Sequence, residues 1–259
     1  MAWTERDYTP VTEAPGTRVT REALSMLYTR YAFAAPHCVG RRVLEVACGA
    51  GQGLGYLAAR ADVVVGGDCT AALLATAQRR YRGRLPLVRL DAHALPFRGA
   101  SFDVVLLYEA LYYLADADGF LEEVARVLGD HGTLLICTVN RDWAEFNPSP
   151  LSTRYHSAAE LLQLLGRHGF RTDLYGAYPA VNGSLKGQVV SSIKRAAVAV
   201  RLIPRTMKGK EMLKRVFLGP LTALPAEVHE AMAPYCAPVA LVPARSSAFK
   251  VLFAVGSRG

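Results

Sequence analysis

Short apolar runs alternate with amphipathic stretches along most of this chain. Runs rich in valine, isoleucine and leucine between Gly, Pro or Asp predict strands, and apolar residues that recur every three or four positions predict helices. The predicted strands cover 43–47, 62–67, 86–90, 103–108, 132–139, 170–178 and 248–256, and the predicted helices cover 21–33, 54–60, 71–81, 118–128 and 157–168. This alternation predicts an α/β fold with a doubly wound, mostly parallel sheet of seven strands.

The first of these strands ends in a glycine-rich turn that is typical of nucleotide-binding sites. Residues 42–53 read RVLEVACGAGQG, an apolar strand with Glu45 near its end and glycine at alternate positions from Gly49. Glycine lets the backbone approach a ligand closely. The dinucleotide fingerprint G-x-G-x-x-G would require glycine at Leu54, and no Gly-Lys-Ser/Thr of a phosphate-binding loop follows. The spacing therefore disfavours a nicotinamide-dependent oxidoreductase and leaves the pattern E-x-x-x-G-x-G.

Two further acidic residues stand where the next two strands end. Asp68 follows a β-branched strand about 20 residues past the glycine turn, where an acidic residue of such folds holds a ribose diol. Asp91, followed by Ala92, comes directly after the strand 86–90. Ligands of open α/β sheets bind beyond the carboxyl ends of the strands, so Glu45, Asp68 and Asp91 predict one shared site.

These motifs resemble those of class I S-adenosylmethionine-dependent methyltransferases. The resemblance is to the small-molecule branch typified by the ubiquinone and menaquinone biosynthesis methyltransferases, and it covers residues 41–178 plus the last strand. Its most specific parts are 44–53, 65–68 and 95–105. The resemblance implies a Rossmann-like sheet whose last strand is inserted antiparallel, and S-adenosyl-L-methionine as the cofactor.

The same resemblance assigns the cofactor contacts. It implies that Glu45 orients the methionyl ammonium, that Asp91 accepts from the adenine amino group, and that the backbone of Ala92 contacts the adenine ring. Tyr108 would line the methyl-bearing end. The remaining cofactor-binding candidates are Ala47, Gly49, Gly51, Asp68 and Cys69. Ala47 occupies a position where relatives often have glycine, and its small side chain is expected to be tolerated.

Acceptor chemistry is expected in the segment after strand 103–108. Methyl transfer is an in-line displacement that mainly requires alignment, and a general base helps only when the acceptor must lose a proton. The catalytic candidates are Tyr108, Glu109, Tyr112 and His156, of which Glu109 and His156 are the candidate bases. Tyr112 is equally explained as a packing aromatic, and His156 as the residue before a helix capped by Ser157. The other histidines show no metal-ligand spacing, so no metal is predicted.

Composition agrees with a cytoplasmic enzyme. The chain has 259 residues, 51% of them hydrophobic, which suffices for one full core. No run reaches 18 uninterrupted apolar residues, and no basic segment followed by an apolar segment opens the sequence. The five cysteines are scattered and lack C-x-x-C spacing, which predicts reduced thiols in the cytoplasm.

The positive charge lies almost entirely in one segment. Residues 181–215 contain nine basic residues and one acidic residue, a net of +8 that equals the charge of the whole protein. Part of this segment, 189–203, resembles a basic amphipathic helix suited to peripheral membrane contact. An anionic small molecule, a lipid-linked acceptor at a membrane surface and a nucleic acid all remain compatible with it, as does a solvated helical face.

The predicted organisation has four segments: a helical N-terminal lid at 1–40, a cofactor-binding core at 41–180, a basic insertion over the acceptor site at 181–247, and the last strand at 248–259. The first segment has two interpretations. A lid over the cofactor would use Tyr8, Tyr28, Arg30 and Tyr31. The buried face of a docking helix would use Leu24, Leu27, Tyr28 and Tyr31. The predicted function is methyl transfer to oxygen, nitrogen or carbon of a small-molecule acceptor. A nucleic-acid methyltransferase, which is disfavoured, and an inactive cofactor-binding scaffold are the alternatives.

Overall fold

A computed structural model describes residues 7–180 and 221–258 of the chain. The strands in these ranges are Arg18–Val19 (β1), Arg42–Val46 (β2), Val63–Asp68 (β3), Leu87–Arg89 (β4), Phe102–Tyr108 (β5), Leu128–Val139 (β6), Phe170–Pro179 (β7), Thr222–Ala223 (β8), Val239–Ala240 (β9) and Phe249–Arg258 (β10). The α-helices are Arg21–Cys38 (α1), Leu54–Ala58 (α2), Ala71–Tyr81 (α3), Ala117–Val127 (α4) and Ala158–Arg167 (α5). Each helix and strand predicted within the described ranges is present, and α3 has the predicted bounds.

The central sheet has the order β4-β3-β2-β5-β6-β10-β7-β9. The strands from β4 to β6 pair in parallel, and β10 pairs antiparallel with both β6 and β7. The Rossmann-like fold class and the antiparallel last strand are confirmed. The sheet has eight strands where seven were predicted, because the two-residue β9 adds to the edge of β7 through Tyr175 and Gly176. Sequence order reverses between β2 and β5, and in open α/β sheets the ligand site lies at such a switch point, beyond the carboxyl ends of the strands.

Each face of the sheet packs against its own layer of helices. Alternate residues of a strand point to opposite faces, so Val43 enters the core formed with α1, α2 and α3, whereas Leu44 and Val46 enter the core formed with α4 and α5. All three side chains are 1% exposed or less. The near-continuous apolar character of β2 follows from this burial on both faces.

The segment 221–236 connects the N-terminal region to the glycine turn. Its β8 pairs antiparallel with β1, and its buried residues Leu224 and Val228 join the core around α1. Residues 181–220 of the predicted insertion, which include all nine basic residues and the predicted amphipathic helix at 189–203, lie outside the described residues. The division into four segments stays a prediction. Within 7–180 and 221–258, the helices are all too short or too polar to cross a membrane.

Candidate functional site

The glycine turn after β2 depends on left-handed backbone conformations. Gly49 and Gly51 have φ values of +57° and +72°, a region that glycine adopts without steric cost. A Cβ atom at Gly51 would also lie 3.0 Å from the Cβ of Ala77 in α3. Ala47 takes a φ of +58°, so the alanine that replaces the common glycine is accommodated at a cost in backbone strain.

Glu45 brings a buried carboxylate to this turn. The residue is 2% exposed, and its Oε1 accepts a 2.7 Å hydrogen bond from the hydroxyl of Tyr31 in α1. Its Oε2 is buried and has no hydrogen-bond partner. Burial raises the pKa of Glu45 to about 7, although the Tyr31 hydrogen bond and Arg30 act in the opposite direction. A buried, half-satisfied carboxylate is costly unless a ligand completes it, so a cationic ligand group fits here.

Asp68 joins the glycine turn to the start of α3. Its Oδ2 accepts a 2.8 Å hydrogen bond from the backbone N–H of Gly49, and its Oδ1 accepts one of 2.7 Å from the N–H of Thr70. Asp68 is 5% exposed, and the predicted contact with ribose hydroxyls would use the acceptor capacity that these bonds leave on its carboxylate. The neighbouring Cys69 accepts a 3.3 Å hydrogen bond from Arg89 through its carbonyl oxygen.

Asp91 lies at the end of β4 beside His93. Its Oδ1 accepts from the backbone N–H of His93 at 2.9 Å and lies 2.7 Å from the Nδ1 of the same histidine. The side chain of Asp91 is 32% exposed, and the adjacent Ala92 packs against the core formed with α4 and α5. Asp91 is therefore held in place by a local turn while its carboxylate stays accessible to a ligand.

Tyr108 and Glu109 occupy the end of β5. Tyr108 is 7% exposed, its hydroxyl is buried without a hydrogen-bond partner, and its ring meets that of Tyr31 edge-on at 5.9 Å. Glu109 has a φ of +52° and donates its backbone N–H to the carbonyl of Cys137 at 2.8 Å. A left-handed glutamate at a strand end is strained, and such strain is found at functional sites.

The Glu109 carboxylate lies among three donors. Its Oε2 accepts a 2.9 Å hydrogen bond from Tyr112, and its Oε1 lies 3.7 Å from Nη2 of Arg30 and 3.6 Å from Sγ of Cys137. Burial raises the pKa of Glu109, whereas Arg30 and the hydrogen bonds lower it. Tyr112 in turn stacks on Tyr155 with ring centroids 4.3 Å apart. Glu109 and Tyr112 are thus in direct contact, and Tyr108 is the neighbour of Glu109 in the chain.

His156 does not join this group. It is 6% exposed and lines a cavity of about 330 Å³ between the start of α4 and α5, together with Asp118, Glu160 and Arg167. No other candidate site residue lines that cavity. Burial and nearby Arg154 lower the pKa of His156. Its assignment as the base finds no support in this geometry.

Sequence reasoning missed the contacts that segment 221–236 makes with the glycine turn. The side chain of Gln52 donates to the carbonyl of Pro225 at 3.0 Å, and the carbonyl of Gln52 accepts from Val228 N–H at 2.8 Å. Glu230 accepts from Tyr28 at 2.6 Å and from Tyr56 at 2.8 Å. No local pattern in the sequence links residues that are more than 170 positions apart.

The fold and this edge of the sheet define a doubly wound α/β protein with a glycine turn and acidic residues at the carboxyl ends of its strands. A family model described as a methyltransferase domain matches residues 44–136, the segment that supplies Glu45, Asp68, Asp91 and Tyr108.

Named relatives fit this match. A probable S-adenosylmethionine-dependent methyltransferase of Mycolicibacterium smegmatis is 37% identical over 145 residues, covering 54% of this chain and 55% of the relative. A demethylmenaquinone methyltransferase of Clavibacter sepedonicus is 31% identical over 170 residues, covering 61% and 65%. A fatty-acid O-methyltransferase of M. smegmatis is 41% identical over 99 residues, covering 37% and 36%. The chain spans about half the length of the first of these relatives.

Solved structures agree on the fold. A methyltransferase from Thermotoga maritima, described as a possible histamine N-methyltransferase, superposes with a TM-score of 0.59 at 15% identity, covering 92% of each chain. At this identity the likeness speaks for the fold alone. The family match over residues 44–136 and the named relatives indicate a class I S-adenosylmethionine-dependent methyltransferase domain with S-adenosylmethionine as its cofactor, and the solved structure agrees with them on the fold.

Proposed function

We propose that this protein transfers the methyl group of S-adenosylmethionine to a small-molecule acceptor, and that lipid-like molecules are the first acceptor class to test. The observation that carries the proposal is the buried, unpartnered Oε2 of Glu45 beside a glycine turn. A methionyl ammonium supplies the positive charge and the donors that this oxygen lacks. The relative that is named a fatty-acid O-methyltransferase supports the choice of acceptor class.

The cofactor would be held by the strand-end carboxylates. In this proposal Glu45 takes the ammonium, Asp68 takes the ribose hydroxyls through its remaining lone pairs, and Asp91 takes the adenine amino group beside Ala92. When bound, S-adenosylmethionine supplies a methyl group already activated on a sulfonium, so the protein has to align the acceptor and exclude water.

The acceptor would meet the site at Tyr108 and Tyr112. For an acceptor that loses a proton, such as a phenol or an alcohol, Glu109 is the proposed base. Its buried carboxylate accepts from Tyr112 and stands directly after Tyr108 in the chain. A carboxylic acid acceptor is already ionised at neutral pH and needs no base. The two acceptor types therefore make different demands on Glu109.

The proposal is tested by measuring S-adenosylhomocysteine release with two acceptor series, saturated fatty acids and phenolic quinol analogues. We expect release with at least one series. Glu109→Gln should lower kcat about 10²–10⁴-fold for phenols and leave fatty-acid methylation nearly unchanged. Glu122→Gln, at an exposed glutamate of α4, is the matched control. Cofactor binding without release from any acceptor would instead favour a scaffold.

A further inference from the structure

Two consecutive residues of α1 reach two different carboxylates of the site. Tyr31 donates its hydroxyl to Oε1 of Glu45 at 2.7 Å, at the cofactor end. Arg30 places Nη2 at 3.7 Å from Oε1 of Glu109, at the acceptor end. One helix from the N-terminal region thus contacts the acidic group at each end of the proposed site.

We propose that Arg30 is a positioning residue that keeps the Glu109 carboxylate ionised and oriented, so that α1 controls the proton-accepting state of the acceptor site. The inference rests on the proposed function for its chemical meaning, since Glu109 is the proposed base. It concerns Arg30 and Glu109 themselves, and can be tested without any acceptor.

The surroundings of Glu109 single out Arg30. The groups that face its carboxylate are Arg30 from α1, Tyr112 from the turn after β5, Cys137 from β6 and, at longer range, Glu13 from the N-terminal segment. Among these described groups only Arg30 carries a positive charge. Tyr112 and Cys137 donate neutral hydrogen bonds, and Glu13 disfavours a second negative charge.

Arg30 is itself available for this role. Its side chain is 16% exposed, and its Nε is buried without a hydrogen-bond partner, so the guanidinium is not neutralised by a full set of local acceptors. At 3.7 Å the pair is an ion contact without a short hydrogen bond, which stabilises the anion while leaving the carboxylate oxygen open to a proton from an acceptor.

The decisive measurement is the titration of Glu109 by carboxyl ¹³C NMR in protein labelled at glutamate. Glu109→Gln assigns the resonance by its disappearance. In Arg30→Met, the apparent pKa of Glu109 should rise by about one pH unit or more, the effect expected when an opposite charge within 4–6 Å is removed. Arg30→Lys should restore most of the original titration. Tyr31→Phe should leave it nearly unchanged.

Binding of S-adenosylhomocysteine, measured by calorimetry on the same variants, provides the contrast. Tyr31→Phe should weaken binding several-fold, because it removes the donor that orients Glu45, whereas Arg30→Met should change the Kd less than twofold. An unmoved Glu109 titration in Arg30→Met overturns the inference. So does a loss of S-adenosylhomocysteine binding in Arg30→Met as large as in Tyr31→Phe, which would place Arg30 in the cofactor site.

The two proposals fail separately. A shifted titration combined with full methyl transfer by Glu109→Gln would support the role of Arg30 and remove Glu109 as the base. An unshifted titration combined with loss of methyl transfer in Glu109→Gln would keep the base and remove Arg30.

Discussion

The buried carboxylate of Glu45 should make the stability of this protein fall as the pH rises. Its pKa in the folded protein is about 7, against an ordinary value of 4.5. Because the folded pKa is the higher one, the folded state binds the proton more tightly than the unfolded state. The resulting stability is fully present below pH 4.5 and is lost as the pH rises through 7.

The size of the effect follows from this difference. About 2.5 pH units at about 1.36 kcal/mol each give about 3 kcal/mol of unfolding free energy lost between pH 4.5 and 7.5. Glu45→Gln removes the titration and retains an oxygen that can accept from Tyr31. Near pH 5 the variant and the wild type should therefore have similar stability, and near pH 8 the variant should be more stable by about 3 kcal/mol.

The assay is urea unfolding followed by circular dichroism at pH 5, 6, 7 and 8, for the wild type, Glu45→Gln and the exposed control Glu122→Gln. Asp68 and His156 titrate in all three proteins, so the difference between the curves reports on Glu45 together with its electrostatic coupling to Asp68. If the stability of Glu45→Gln follows that of the wild type across this range, Glu45 is not a buried, strained acid and the electrostatic account of the cofactor end is wrong.

Three further predictions concern the glycine turn and the start of α5. Ala47→Gly removes the strain of a left-handed alanine, which costs about 1–2 kcal/mol. Glycine adds conformational entropy to the unfolded chain, which offsets about 0.5–1 kcal/mol of this gain. Urea unfolding should therefore show a net gain in stability of about 0.5–1 kcal/mol, and a loss would contradict the strain argument. Gly53→Ala places a Cβ atom 1.8 Å from the Tyr31 ring, and should cost about 1–3 kcal/mol; Gly53→Ala combined with Tyr31→Ala should recover part of this cost if the clash is the cause. Ser157→Ala breaks the capping box formed with Glu160. It should lower stability by about 1 kcal/mol without changing S-adenosylhomocysteine binding. Weaker S-adenosylhomocysteine binding by this variant would show that α5 also supports the cofactor site.

The fold and the cofactor end could be predicted from the sequence because their signals are local. Each signal can be recognised within about ten consecutive residues: valine-rich strands buried on both faces, a glycine turn, and acidic residues at strand ends. The structure indeed brings Glu45 and Asp68 to one glycine turn at the carboxyl edge of the sheet. The predicted contacts of these residues with a cofactor remain predictions.

The other features of the site could not be predicted, because they depend on contacts between residues that no local sequence pattern links. Asp68 is bonded to two backbone N–H groups, so Asp68→Ala would damage the turn itself and is a poor probe of ribose binding. His156 is one of the two candidate bases in the sequence, and it lines a cavity that none of the other candidate site residues lines. The bond between Gln52 and Pro225 joins positions 173 apart, which only the folded chain reveals.

The central claim is that the glycine turn and the buried Glu45 carboxylate hold S-adenosylmethionine. Titration calorimetry with S-adenosylmethionine, S-adenosylhomocysteine and NADH on the wild type, Glu45→Gln and Glu122→Gln tests it most directly. We predict that the wild type binds both sulfur compounds with micromolar affinity and does not bind NADH. Glu45→Gln should reduce the affinity for the sulfur compounds about tenfold or more, because a charged pairing in a buried site is lost. Glu122→Gln should bind them as the wild type does. Binding that is absent, that prefers NADH, or that is indifferent to Glu45→Gln would contradict the account.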